Sequence, residues 1–356
     1  MKLALNIGIV GTGGIGFALA AWLAHAGHVT TVWSPGGCGA DALRSAPLRA
    51  TGVLDASARV QVADSAQALA QANDLLFIAL PVNGHRRVMD LLLPHLQGGQ
   101  TVIVSSMGSL SALYLAEGAH ALGRNITVAS FGTTVLTARR TAADAVHIMT
   151  RRAELGVSSL PNAHMPVVLT LCRELFGEGF SAHQNTLASA LTNVSPIAHG
   201  PLALFNWTRI ERAEAWPQYH YMTPQVSAVI KKLDAERLAL AHAFGFGVRS
   251  IERHFAQSFS TTAETLADIA AELHTKRGGP AGPIDTSTRF LSEDVPFGLV
   301  FLAALGRLVG VPTPTTDTII ASASLITGRD FIAENDLIAP LKLGAETVAG
   351  LLARVR

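Results

Sequence analysis

Short apolar runs of strand length recur through the first half of the chain, separated by stretches with helical spacing. They predict strands over 5–10, 29–33, 60–62, 74–80, 101–105 and 126–129, with helices over 15–26, 65–72, 86–93 and 109–122. Apolar strands alternating with helices imply βαβ units and a parallel sheet covered on both faces. The texture changes after Ala182. Thr223 and Pro224 stand as N-cap and first-turn proline. From there Val226, Val229, Ile230, Leu233, Leu240 and Phe244 recur at helical spacing up to Gly245. Further helices are expected over 260–273, 297–308, 318–326 and 341–355. The 297–308 segment is apolar on most sides and should be buried, with Gly310 and Pro312 ending it. The pattern predicts an α/β domain over 1–182 and a mostly α-helical domain over 183–356.

Composition narrows the partners. The chain has 356 residues, which suits two domains. Only 15% of residues are charged against 49% hydrophobic, so much of the chain should be interior or face a second copy in a homodimer. Basic and acidic residues number 27 and 26 with no long basic run, which argues against nucleic acid and against a membrane-surface helix. Cys38 and Cys172 are too far apart for a disulfide framework or a zinc spacing, and they fit a reducing, cytoplasmic setting. Lys2 and the apolar run to Ala26 have the outline of a signal peptide. Gly8, Gly11, Gly13, Gly14 and Gly16 interrupt that run and suit a phosphate-binding turn better. Elsewhere no uninterrupted apolar run reaches the roughly 18 residues that a membrane-spanning helix needs.

Gly11-Thr12-Gly13-Gly14-Ile15-Gly16 matches G-x-G-x-x-G between a predicted strand and a predicted helix, the context that makes this motif informative. Gly11 permits the tight turn, Gly13 lets a pyrophosphate approach the backbone, and Gly16 lets the helix pack on the strand. The free N–H groups and the helix dipole then favour phosphate. An NAD-selective site places Asp or Glu at the end of the second strand, about 20 residues on. Ser34 stands there instead, followed by Pro35-Gly36-Gly37. Without that carboxylate a 2′-phosphate meets no repulsion, so NADP is favoured over NAD, although the nearest downstream basic residue is Arg44. Pro81 ends the fourth strand at the carboxyl edge of the sheet, where ligands bind in such folds. His85, just beyond, reads as a solvated loop histidine; an approach to the nicotinamide ribose or the substrate is the other reading.

None of the thirteen histidines sits in a metal-ligand spacing, so no metal is expected. His25 and His28 at a helix end, His242 on a helix and His254 just past one read as structural or solvated. His199 lies in an apolar stretch punctuated by Asn193 and Asn206, and such polar groups are costly unless bonded or used. On the residues alone, a satisfied core histidine remains open.

Several segments in order are similar to the opine dehydrogenase family, of the octopine and nopaline dehydrogenase type. They are the Asn193-to-His199 approach, Leu204-Phe205-Asn206, Arg209-Ile210-Glu211, Tyr219-His220-Tyr221-Met222-Thr223-Pro224, Leu233-Asp234-Ala235-Glu236-Arg237, the run Arg289 to Val300, and Gly310-Val311-Pro312-Thr313-Pro314. With the glycine motif they span most of the chain. The resemblance implies a Rossmann domain followed by a helical substrate domain. It implies an NAD(P)H-dependent reduction of the imine formed from an amino acid and a 2-oxo acid. It places His199 as acid/base, Asp294 as its carboxylate partner, and Arg289 with Asn193 at the substrate. A histidine near neutral pKa suits that proton traffic, and an arginine fork matches a carboxylate. Gly200 and Trp207 depart from the family's usual residues and put the amino acid in doubt. Asp294 could instead cap a helix before Val295-Pro296, and Arg289 could form a surface ion pair. A 2-hydroxy acid, ketopantoate or glycerol-phosphate reductase would share the fold but needs a catalytic lysine, for which Lys231 and Lys232 are the early candidates in the helical half. A nucleotide-sensing protein without turnover is the third reading.

Overall fold

A computed structural model describes residues 4–356, so Lys2 of the leader-like run lies outside the described residues. The chain forms two compact units, one of residues up to Ala190 plus Leu352–Arg356, the other Leu191–Leu351.

In the first unit the strands are β1 (Asn6–Val10), β2 (Val29–Trp33), β3 (Leu48–Gly52), β4 (Ala56–Ala58), β5 (Gln61–Val62), β6 (Leu75–Ile78), β7 (Thr101–Val104), β8 (Thr127–Phe131), β9 (Leu136–Ala142), β10 (Ala145–Arg151), β11 (Leu155–Leu160) and β12 (Phe180–Ala182). Eight form one sheet in the order β12-β11-β8-β7-β6-β1-β2-β5. The six from β5 to β8 are parallel, and β11 runs antiparallel to β8. Their apolar runs explain why: Ile7, Ile9, Phe77, Ile103 and Phe131 are fully buried, as strands covered on both faces must be. The chain reverses its strand order between β1 and β6, the switch point at which ligands bind in doubly wound sheets.

The sequence pattern predicts no structure between β8 and Ala182, and there the structure adds four strands and the helix Met165–Phe176. β9 and β10 form a hairpin that joins β3 and β4 in a separate sheet ordered β4-β3-β10-β9. Outward-facing polar residues such as Arg139 and His147 mask the apolar alternation in that sheet. The helix Gly14–His25 packs against this sheet as well as the main one, and its Phe17 to Ala21 and Leu23 are all buried.

The second unit is helical. The longest helix, Pro224–Ala243, begins at Thr223, whose side chain makes no capping bond. Two expectations need correction. The helix expected over 260–273 is Leu266–Arg277, and a separate helix, Ile251–Phe259, precedes it and contains His254. Ser250 caps the first and Thr265 the second through side-chain acceptors, and Ser260 adopts a left-handed conformation between them. The helix expected over 297–308 starts as a π-helical turn, Val295–Val300, and continues as Phe301–Val309. Among the described residues no helix is long and apolar enough to cross a membrane.

Candidate active site

In the first unit, the candidate nucleotide-binding feature is the turn after β1. Gly11 has φ +117°, which suits glycine, and a Cβ there would overlap the carbonyl oxygen of Ala79 at the end of β6. A Cβ on Gly16 would overlap the Gly11 carbonyl. Gly13 is different: a Cβ there would meet nothing within 4 Å, so its bareness serves no internal contact. Gly13 is also the N-cap of Gly14–His25, where no side chain caps the first turn and no acid sits in it. Open backbone N–H groups on a positive dipole end form a cradle for an anion. Ile15 lies half-buried in that first turn, and Ser34 is half-buried at the end of β2. Gly39 packs so closely that a Cβ would overlap the Thr12 hydroxyl and reach within 3.1 Å of Ser34 Oγ. The Ser34 loop therefore folds onto the glycine turn. Pro81 is exposed just past β6, across the switch point. These residues fit a dinucleotide's pyrophosphate and ribose.

His85 corrects the reading of a solvated loop histidine. It is 0% exposed. Its Nε2–H donates to the Leu80 carbonyl at 3.0 Å, so its Nδ1 accepts from the Ser111 hydroxyl at 2.9 Å. Burial drives its pKa down to about 4, against a smaller upward effect of the Leu80 bond. It is a neutral strut that ties the Leu80-Pro81 turn to the helix Ser111–Ala121.

In the second unit, the helix Ser195–Phe205 carries His199. Its Nδ1 lies 2.8 Å from Asp294 Oδ2. An ionised carboxylate only accepts, so Nδ1 carries a hydrogen and Nε2 is left to take or give a proton. The histidine side chain is 21% exposed and the aspartate 10%. Asp294 makes no capping bond to the helix it precedes, which removes the cap reading. The Phe290 ring stacks flat on the imidazole, with centroids 3.8 Å apart and planes 1° apart. Sequence reasoning passed over Phe290, because a phenylalanine set among Arg289, Leu291, Ser292 and Glu293 carries no signal of the ring it will meet.

Two features bring the pair together. Gly298 lies against Pro196, so the π-helical turn after Asp294 approaches the helix of His199. π-turns are rare and concentrate at functional sites. Asn335 Nδ2 donates to the Pro296 carbonyl at 2.7 Å, satisfying a group inside that turn.

Other expected residues fall less tightly around the pair. Arg289 is 67% exposed and holds Glu293 Oε2 at 3.4 Å. Asn193 Oδ1 accepts from the Ser195 N–H at 3.0 Å, closing the turn into the histidine helix. Asn206 is buried and bonds back to the Leu202 carbonyl. The Leu233-to-Arg237 motif is scaffolding. Buried Asp234 pairs with buried Arg237, and Glu236 caps Pro314–Thr327 by accepting from the Thr315 and Thr316 N–H groups. Among the described residues no three metal-ligating side chains cluster.

Two family models match in tandem. Ketopantoate reductase PanE/ApbA covers residues 7–161. NAD/NADP octopine/nopaline dehydrogenase, alpha-helical domain, covers 182–327. An opine dehydrogenase from Arthrobacter sp. (strain 1C) is 28% identical over 98% of this chain and 98% of its own. The helical half thus matches the opine dehydrogenase family's own model, and over its whole length the chain is of opine dehydrogenase type. It is an NAD(P)-dependent oxidoreductase of the class acting on CH–NH bonds. The fold of this opine dehydrogenase-type chain is that of an octopine dehydrogenase solved with NADH and L-arginine (TM-score 0.81, 15% identity, 98% of both chains). A yersinopine dehydrogenase solved with NADP+ also shares it (TM-score 0.75, 16% identity, 99% of both chains).

Proposed function

We propose that this chain reduces the imine formed from an amino acid and a 2-oxo acid, with His199 and Asp294 as its acid/base pair. The observation that carries the reading is the 2.8 Å Nδ1–carboxylate bond on a mostly buried but still accessible histidine in a chain of opine dehydrogenase type. The amine attacks the oxo carbon, water leaves, and a hydride added to the resulting imine carbon yields a secondary amine. NADPH or NADH supplies that hydride when bound, and the cradle of Gly11, Gly13, Gly14, Ile15 and Gly16 with Ser34 and Pro81 would hold it. His199 Nε2 takes the proton that frees the amine for attack and returns one during reduction, while Asp294 orients the ring and stabilises its charged form. Arg289, exposed and held loosely by Glu293, would grip a substrate carboxylate, and Asn193 would line the approach.

The test is oxidation of NADPH and NADH at 340 nm, with pyruvate or 2-oxoglutarate alone and with a panel of L-amino acids. Oxidation that requires both partners supports reductive condensation. The ketopantoate reductase match favours a second reading, reduction of an oxo acid by itself, and oxidation without any amine would replace the first reading with that one. Against it, Lys231 is 75% exposed and sits 3.8 Å from Glu252, in no enclosed site. His199→Ala and Asp294→Asn should each lower turnover with nucleotide affinity intact; joint loss of both would make the pair structural.

A further inference from the structure

The end of β2 lacks the carboxylate of an NAD site and also lacks a nearby arginine in sequence. The structure supplies one from a distance. Arg140, on β9, donates from Nη1 to the Thr12 carbonyl at 3.0 Å and to the Gly39 carbonyl at 2.9 Å. Thr12 belongs to the glycine turn, and Gly39 to the loop that Ser34 begins. The guanidinium is fixed from behind, where Nε donates to the Ala142 carbonyl and Nη2 to the Ala143 carbonyl, both at 3.0 Å. Its Cζ rests 4.5 Å from the centroid of the Phe17 ring. Four of its five N–H groups thus meet carbonyls among the described residues, which leaves one on Nη2. The residue is nevertheless solvent-exposed. Arg44, the nearer arginine in sequence, is engaged elsewhere, at 2.6 Å from Asp64.

We propose that Arg140 is the specificity residue that selects the 2′-phosphate of NADP, acting beside Ser34. The inference rests on the nucleotide reading of the glycine cradle. An arginine held in one orientation loses little freedom on meeting a phosphate, and charge-assisted bonds to phosphate are about twice as strong as neutral ones. The small sheet β4-β3-β10-β9 then has a role in the chemistry of recognition, because it delivers a cation to the ribose loop. Arg140 touches the cofactor rather than the reacting atoms.

The experiment is equilibrium binding to the full chain, followed by nicotinamide fluorescence for NADPH and NADH, with 2′,5′-ADP and 5′-AMP as competitors. The unaltered protein should prefer NADPH, and 2′,5′-ADP should compete better than 5′-AMP. Arg140→Met should weaken NADPH by about tenfold or more and NADH by no more than about threefold, as loss of one charge-assisted phosphate bond implies. Arg140→Lys should recover part of the NADPH preference. Equal weakening of both dinucleotides would reduce Arg140 to a brace of the two loops and overturn the proposal, as would an unchanged preference. A melting curve checks folding; should Arg140→Met not fold, the 2′,5′-ADP to 5′-AMP ratio on the unaltered protein and on Arg140→Lys decides. Failure of the unaltered protein to bind either dinucleotide would instead sink the nucleotide reading itself.

Discussion

Gly298→Ala adds one methyl group, and the structure says where it goes. A Cβ on Gly298 would lie 2.2 Å from Pro196 Cγ. Carbon atoms settle at about 3.5–4.0 Å, so the π-helical turn or the helix of His199 must retreat by more than about 1 Å. A proline ring cannot swing aside as a long side chain would. Overpacking of this kind costs about 1–3 kcal/mol. In an open helix the same change would stabilise by about 0.5–1 kcal/mol, so the sign of the effect tests the contact. A retreat of about 1 Å would also stretch the 2.8 Å His199–Asp294 bond beyond hydrogen-bonding range. Misplacement on that scale can cost about a hundredfold in turnover. The assay pairs thermal melting with steady-state kinetics and with NADPH binding, which should not change because Gly298 and Pro196 lie in the other unit. A variant that melts higher than the parent, or melts lower with undiminished kcat, would refute the reasoning.

Phe290→Leu should lower kcat severalfold by freeing the imidazole plane, while Phe290→Tyr should retain activity and the shape of the pH–rate profile; equal loss in both would mean that stacking is not what matters. His85 gives a pH prediction. Its folded pKa of about 4 lies below its ordinary 6.5, so its contribution is complete above pH 6.5 and is lost as pH falls towards 4. The loss should approach about 3 kcal/mol, and acid unfolding of His85→Gln should have a correspondingly flatter slope in that window. Gly13→Ala should fold and melt like the parent, because its Cβ meets only open space, yet bind dinucleotide at least tenfold more weakly; unchanged affinity would remove Gly13 from the cradle.

The parallel core was legible because strands buried on both faces must be apolar throughout, and Asn6–Val10 or Leu75–Ile78 can hardly be read otherwise. The glycine turn was legible because a backbone that must bend sharply and lie bare tolerates no other residue at Gly11 or Gly16. His199 and Asp294 were named only through resemblance, since 95 residues separate them and no local pattern links the two. Tertiary structure decided the rest. β9 and β10 escaped because a small sheet with a polar outer face breaks the apolar signal. His85 looked solvated because sequence does not show the Leu80 carbonyl and the Ser111 hydroxyl converging on one ring. Arg140 lies 128 residues from Thr12, and only the packing of β9 beside the helix Gly14–His25 brings its charge to the glycine turn. Periodicity records which side of an element is buried; which element lies across from it is set by the packed chain, and only there do His199 meet Asp294 and Arg140 meet the glycine turn.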